Sequence, residues 1–253
     1  MQGWSELPTK FAENVQLLHT LNPEYEHMQW DDAGLRHQCA ALGPDVVAKY
    51  DSFQHLIQRV DLGRYVVAYN FGGVTVDVDM KSFKPISATP GLSTSDFIVS
   101  KSAFPADLAG FINNALIMVK PQHPLLLKII REICAFGAKE EDYMTKEMYI
   151  GATTGPLATF YRIIMAHPSE VKIIDSRYFE PCFSVDPICK PDGEAIMDHR
   201  HELSWFSGAF KVFVSILIVV LYLMFFLALP GYLLYVTVKN YKPLAAAAKR
   251  RLK

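Results

Sequence analysis

Apolar residues recur at helical spacing over residues 9 to 20, where Phe11, Val15 and Leu18 form one stripe behind Pro8, with Thr9 placed as a cap. Asn22-Pro23 ends that helix, Tyr25 to Trp30 reads as a short strand, and Asp32 opens a second helix that stops near Gly43-Pro44. A longer helix is predicted from Ser52 to about Asn70, since Phe53, Leu56, Ile57, Val60 and Arg64 fall three or four apart. Asp61 and Arg64 stand one turn apart on it, spaced for a local ion pair or for the edge of a ligand site.

Gly72-Gly73 breaks the pattern and permits close approach of the backbone. Val74, Val76 and Val78 then alternate with Thr75, Asp77 and Asp79, the period of a strand. Both aspartates therefore point to one side, about 6 to 7 Å apart by strand rise, and a loop after them lets the carboxylates converge. A loop-rich stretch follows over 83–109, then an apolar segment from Ala115 to Val119 and a helix from Pro124 to Phe136. Thr154-Gly155-Pro156 opens another helix, striped by Leu157, Phe160, Ile163 and Ile164, and Val171 to Ile174 reads as a strand. Helices alternating with short apolar strands predict an α/β domain.

The C-terminal pattern differs. Val212 to Val238 holds no charged residue and shows no polar face, long enough at about 1.5 Å per residue for a single tilted or kinked membrane span bent at Pro230-Gly231. The expected organisation is a catalytic domain over 1–208, a transmembrane segment over 209–238 and a basic tail over 239–253. The tail carries Lys239, Lys242, Lys249, Arg250, Arg251 and Lys253 without an acid, whereas Asp192, Glu194, Asp198 and Glu202 precede the span. The positive-inside bias puts the tail in the cytosol and the main domain across the membrane. Residues 1–15 read as neither signal peptide nor anchor, so an upstream segment of a longer precursor is expected to bring the domain there, with post-translational insertion or the opposite orientation as the alternatives.

Net charge is −1 for 253 residues, and removing the basic tail leaves an acidic main domain, which argues against nucleic-acid binding. The four cysteines, Cys39, Cys134, Cys182 and Cys189, show no zinc spacing; Cys182 and Cys189 are near enough to close a small disulfide loop in an oxidising lumen, with plain thiols as the alternative.

Asp-x-Asp after a buried-looking strand and a glycine pair suits a hard divalent ion that takes further oxygens from a phosphate substrate. Such an ion on a diphosphate neutralises its charge as it leaves. Taken together, Asp61-Leu62-Gly63-Arg64-Tyr65 and Tyr69 through Asp79 resemble the DxD sugar-binding region of glycosyltransferase family 32, and most closely its fungal inositol phosphorylceramide mannosyltransferases. Further counterparts occur in order: Asn22-Pro23 with Tyr25 and Trp30-Asp31-Asp32, Asn113-Asn114 leading to His123-Pro124, Thr154-Gly155-Pro156, and His199 and His201 before Ser204-Trp205.

The resemblance implies a GT-A type fold, a GDP-mannose donor, Mn²⁺ with Mg²⁺ as the substitute, and retention of anomeric configuration. It implies that Asp77 engages the sugar or ribose side of the donor and that Asp79 is the more direct metal ligand. Asp61 and Arg64 would hold the sugar, Asn113 or Asn114 its hydroxyls, Gly72 and Gly73 would shape the approach to the diphosphate, and Trp205 would stack near the donor or cover the core. His199, with His201 as rival, would complete the metal site. Implied partners are the nucleotide sugar, an inositol phosphosphingolipid acceptor, the membrane and a regulatory membrane subunit; the expected location is the Golgi, with the endoplasmic reticulum second. Two departures stand out: Thr75 replaces a usual aromatic residue, and the family's first strand, part of the base-binding site, has no counterpart here. The competing readings are transfer of another sugar to a glycan or glycolipid, and a catalytically impaired membrane scaffold.

Overall fold

The computed structural model describes residues 7–103, 106–156, 161–182, 189–202, 206–224, 231, 232 and 235. Two compact units divide at Trp205 and Phe206. The first is mixed α/β, as the alternation of patterns predicted.

Four helices precede the first strand: α1 (Thr9–Leu21), α2 (Asp32–Leu42), α3 (Pro44–Ser52) and α4 (Leu56–Phe71). Thr9 does not cap α1, whose N-cap is Pro8; Asp31 caps α2 by accepting from the Gly34 amide at 2.7 Å. Gly43-Pro44 ends α2 and at once begins α3, because proline's fixed φ suits a first helical turn. The expected strand over Tyr25 to Trp30 does not form. Trp30 instead packs on the α2–α4 core and stacks on Phe71 at 5.4 Å between ring centroids.

The central sheet runs in the order β1-β4-β3-β5, from β1 (Gly73–Val76), β3 (Phe97–Lys101), β4 (Ile112–Val119) and β5 (Lys172–Ile174). β4 is antiparallel to both β1 and β3, and β5 runs parallel to β3. β3 lies within the stretch read as loop. Alternate residues of the sheet serve two cores: Phe97, Val99, Ile117 and Val119 face a layer that includes α2 to α5, with α4 and α5 (Pro124–Ala135) against the strands. Ile98, Leu116 and Met118 face a second core with Phe179, Ile196 and Met197. There a small sheet pairs β2 (Met80–Ser82) with β6 (Met197–His199), Met80 opposite His199.

α6 (Lys146–Thr153) ends at Thr154, so Thr154-Gly155 closes one helix rather than only opening the next. α7 spans Tyr161–Ala166, and Leu157 and Phe160 of the predicted stripe lie outside the described residues. Cys182 and Cys189 are disulfide-bonded, and Cys39 and Cys134 are free.

Gly72 holds the α4–β1 junction at φ 66°, and a Cβ there would lie 2.6 Å from the Pro121 ring nitrogen. Gly72→Ala should therefore cost at least about 2 kcal/mol, from positive-φ strain plus collision, read as a lowered urea midpoint. An unchanged midpoint would show that the junction can shift.

The second unit contains α8 (Gly208–Leu223), capped by Ser207, with Val212, Phe213, Ile216, Val219 and Leu223 all exposed. No helix of the described residues is long and apolar enough to cross a membrane. At 16 residues α8 spans about 24 Å, and most of the predicted segment after Met224 lies outside the described residues.

Candidate metal and donor-sugar site

Strand β1 stops at Val76, so Asp77-Val78-Asp79 forms a turn rather than the end of a strand. The turn is pinned on both sides. The Asp77 amide donates to the Ala115 carbonyl at 2.9 Å, extending the pairing with β4, and the Met80 amide donates to the Asp77 carbonyl at 3.0 Å. Asn14 of α1 braces the tip, its side-chain amide donating to the Val78 carbonyl at 3.0 Å. The convergence expected of a loop after the aspartates is produced by the aspartates' own turn.

β6 approaches antiparallel to β2 and delivers His199 to this turn. His199 Nε2 lies 3.4 Å from Asp79 Oδ1. The next residues close over the same carboxylate: the Arg200 amide donates to the Asp79 carbonyl, and the Glu202 amide to Asp79 Oδ2, both at 3.0 Å. One ligand atom each from Asp77, Asp79 and His199 lies within 4.8 Å of the others.

Arg64 points from α4 to Asp77, not to Asp61 on its own helix. Its Nη2 pairs with Asp77 Oδ1, and its Nη1 donates to the Asn114 carbonyl at 2.6 Å. Asp61 is buried, with Oδ1 accepting from Asn114 Nδ2 at 3.2 Å and Oδ2 from Thr154 Oγ1 at 3.0 Å. Tyr65 completes this inner layer: its hydroxyl accepts from Asn114 Nδ2 at 2.8 Å and donates to the Thr154 carbonyl at 2.9 Å. Asp61 and Asn114 therefore tie α4, β4 and the end of α6 together beneath Arg64.

The two aspartates of the turn have opposite electrostatics. Burial raises the pKa of Asp77, only partly offset by the Arg64 charge. Burial acts the same way on Asp79, but the hydrogen bond and charge of His199 and the Glu202 amide overcome it and set the pKa to about 2. Burial disfavours a charged His199, yet hydrogen bonds to Asp79 and Glu180 and their charges raise it to about 10. Desolvation takes Asp61 up to about 7 despite Arg64 and its two donors. Two carboxylates one residue apart are thus separated into a firmly ionised group and a partner for arginine.

This pairing has a pH signature. Asp79's folded pKa is depressed, so its contribution to stability is present above 3.8 and lost as pH falls through about 2. His199's is raised, so its contribution is complete below 6.5 and lost as pH rises through about 10. The melting-temperature difference between the metal-free protein and its Asp79→Asn variant should peak between about pH 4 and 6.5 and narrow on both sides. A difference independent of pH would show that the pair carries no linkage.

Of the other residues singled out by sequence, Gly73 begins β1 about 13 Å from Asp77 by strand rise, and Gly72 precedes it at the helix–strand junction. His201 packs on His199, ring centroids 4.1 Å apart, and joins Glu180 and His199 in a second group whose potential ligand atoms lie within 4.8 Å of one another. Burial and the His199 charge push its pKa well below the usual imidazole value. Asn113 reaches His199 Nδ1 at 3.3 Å. Trp205 lies outside the described residues. Sequence reasoning missed Glu180, which is buried against both histidines, and the bracing Asn14. Glu180 sits among apolar residues in Tyr178-Phe179-Glu180-Pro181, an acidic residue where the pattern calls for core, and that was its one available signal.

The donor set fits a divalent ion: two carboxylates and an imidazole favour Mn²⁺ over Mg²⁺, which prefers oxygen throughout. Residues 8–102 match the family model for the glycosyltransferase sugar-binding region containing DXD motif. The matched segment contains the Asp77–Asp79 turn.

Inositol phosphoceramide mannosyltransferase 3 of Schizosaccharomyces pombe is 29% identical over 158 residues, 62% of this chain and 41% of that protein. Mannosyl phosphorylinositol ceramide synthase SUR1 of Saccharomyces cerevisiae is 25% identical over 157 residues, covering 60% and 37% of the two chains. The chain thus spans less than half the length of these relatives. The solved PaToxG glycosyltransferase matches 66% of this chain and 67% of its own at 15% identity, with a TM-score of 0.49.

Proposed function

We propose that this chain is the catalytic part of a GT-A type, metal-dependent, retaining mannosyltransferase that moves mannose from GDP-mannose to the inositol headgroup of inositol phosphorylceramide. The observation that carries the reading is the convergence of Asp77, Asp79 and His199 on a turn within the segment that matches the DXD region. The fungal relatives named for inositol phosphoceramide mannosylation supply the donor sugar and acceptor.

In this reading Asp79 and His199 would hold Mn²⁺, and the ion would supply electrostatic stabilisation for the charge of the leaving diphosphate. Asp79 stays ionised at any working pH, and the Glu202 amide fixes its second oxygen. Asp77 locks Arg64 in place, so that the guanidinium, which carries five donors, is aimed in advance at donor hydroxyls. Asp61, Asn114 and Tyr65 form the dry support that keeps Arg64 from swinging away.

The apolar run continuing from α8 is proposed as a membrane span over 209–238, holding the site near an acceptor whose ceramide stays in the bilayer. The disulfide is the kind formed in oxidising compartments, which supports a luminal domain in the Golgi, with a membrane subunit as regulator.

The test is incubation of the protein with labelled GDP-mannose, vesicles containing inositol phosphorylceramide, and Mn²⁺. Mannose should appear on the lipid and transfer should cease with chelator. Transfer from a different nucleotide sugar would redirect the donor assignment, and no metal-dependent turnover of any donor would refute the enzyme reading.

A further inference from the structure

Glu180 is absent from every motif that marks the site, yet it is one of the most buried charged groups in the protein, at 1% exposure. It follows η-type turn residues Ser176–Tyr178, and its own amide donates to the Ser176 carbonyl at 2.7 Å. This turn presents the carboxylate to the side of His199 that faces away from Asp79.

Glu180 Oε1 lies 3.4 Å from His199 Nδ1, while His199 Nε2 lies 3.4 Å from Asp79 Oδ1. The imidazole is thus held at both ring nitrogens between two carboxylates. The second Glu180 oxygen accepts from the Ala103 amide at 3.2 Å and lies 3.7 Å from His201 Nε2. Those contacts leave the carboxylate little freedom to rotate.

A buried carboxylate with no structural cation beside it is costly unless it is satisfied. Among the described residues no lysine or arginine pairs with Glu180; its ion-pair partners are the two histidines. A histidine that binds metal through one nitrogen needs its other N–H held, because that hydrogen bond selects the tautomer and the ring plane. His199 Nδ1 has Asn113 Nδ2 at 3.3 Å as a second neighbour, and an amide N–H and a ring N–H cannot both donate across that contact. The carboxylate decides which of them yields.

We propose that Glu180 is the positioning residue of the metal site: its carboxylate accepts from the Nδ1–H of His199 and so keeps the ring in the tautomer whose unprotonated Nε2, beside Asp79, faces a divalent cation. The inference rests on the reading of Asp79 and His199 as metal ligands and extends it to a residue outside that ligand set. His201, stacked on His199, lies against the same carboxylate.

The experiment titrates Mn²⁺ alone into the wild-type protein and its Asp79→Ala, Glu180→Ala and Glu180→Gln variants, following free Mn²⁺ by electron paramagnetic resonance. Metal-free melting temperatures monitor folding, and the ¹⁵N shifts of the His199 ring, read with diamagnetic Mg²⁺ bound because the metal-free ring is protonated at both nitrogens, report its tautomer. Glu180→Ala should weaken Mn²⁺ binding about 10- to 100-fold, with a smaller loss for the isosteric Glu180→Gln. In Glu180→Ala the ring signals should leave the Nδ1–H form expected of the wild type, with a smaller departure in Glu180→Gln, whose amide oxygen can still accept from Nδ1–H. Loss of binding in Asp79→Ala with no change in either Glu180 variant, or an unmoved tautomer, would overturn the role of Glu180 while leaving the metal reading intact. If Glu180→Ala fails to fold, Glu180→Gln decides by the same two readouts. A wild-type protein that binds no Mn²⁺ would overturn both.

Discussion

Asp79→Ala should lower Mn²⁺-dependent mannosyl transfer by on the order of 10³-fold in kcat/KM, the equivalent of about 4 kcal/mol of lost transition-state stabilisation. The carboxylate removed is the one that the site keeps ionised, with a pKa of about 2, and that His199 and the Glu202 amide hold in place. Asp79→Asn separates charge from shape: it retains an oxygen for the Glu202 amide but not the negative charge, so it should lose nearly as much activity and less stability. Raising Mn²⁺ should recover part of the activity of the asparagine variant. Steady-state rates over a Mn²⁺ series check this, and transfer unchanged in both variants would remove Asp79 from the mechanism.

Arg64→Met should be the most destabilising of the site substitutions. It keeps most of the side-chain volume while leaving Asp77 without its cation and the Asn114 carbonyl without its donor. Loss of one member of a buried pair costs about 3 to 5 kcal/mol; because Asp77 keeps 32% of its side-chain surface in solvent, about 2 to 3 kcal/mol is expected. Urea unfolding should show a lower midpoint at unchanged slope. Adding Asp77→Asn to Arg64→Met should restore part of the loss, because the stranded charge is gone. Full additivity of the two changes would show that they do not interact.

The parts of this molecule legible in sequence were the local ones. Asp77-Val78-Asp79, the glycine pair and the α4 stripe lie within 24 residues, and their spacing alone put the chemistry at the start of the sheet. His199 was found through a pattern near it, but its partner Glu180 sits in a different motif 19 residues earlier, where nothing local announces that a carboxylate turns inward.

The errors have the same origin. β3 is a five-residue segment among serines and prolines, and its strand character comes from β4 and β5 on either side. Tyr25 to Trp30 has strand-like residues and no such partners, so it forms no ladder. Gly43-Pro44 was read as a stop because the same pair that ends one helix gives no sign of beginning the next. Asn22 marked a helix end correctly, yet its larger task, accepting from the Ile86 amide 64 residues on at 2.7 Å, depends on tertiary contact.

The bracing by α1 has a thermodynamic consequence for ligation. Besides Asn14 on the Val78 carbonyl, Glu13 pairs with Lys81 at 2.9 Å just after the turn, and Lys10 pairs with Glu202 at 2.6 Å on the segment that follows His199. One helix thus clasps both the Asp77–Asp79 turn and the segment that follows His199, and the ordering cost of bringing the candidate ligands together is met when the chain folds. Cation uptake then freezes little further motion. Its calorimetric signature should be a small conformational entropy penalty, with protons shed by His199 dominating the heat and its buffer dependence.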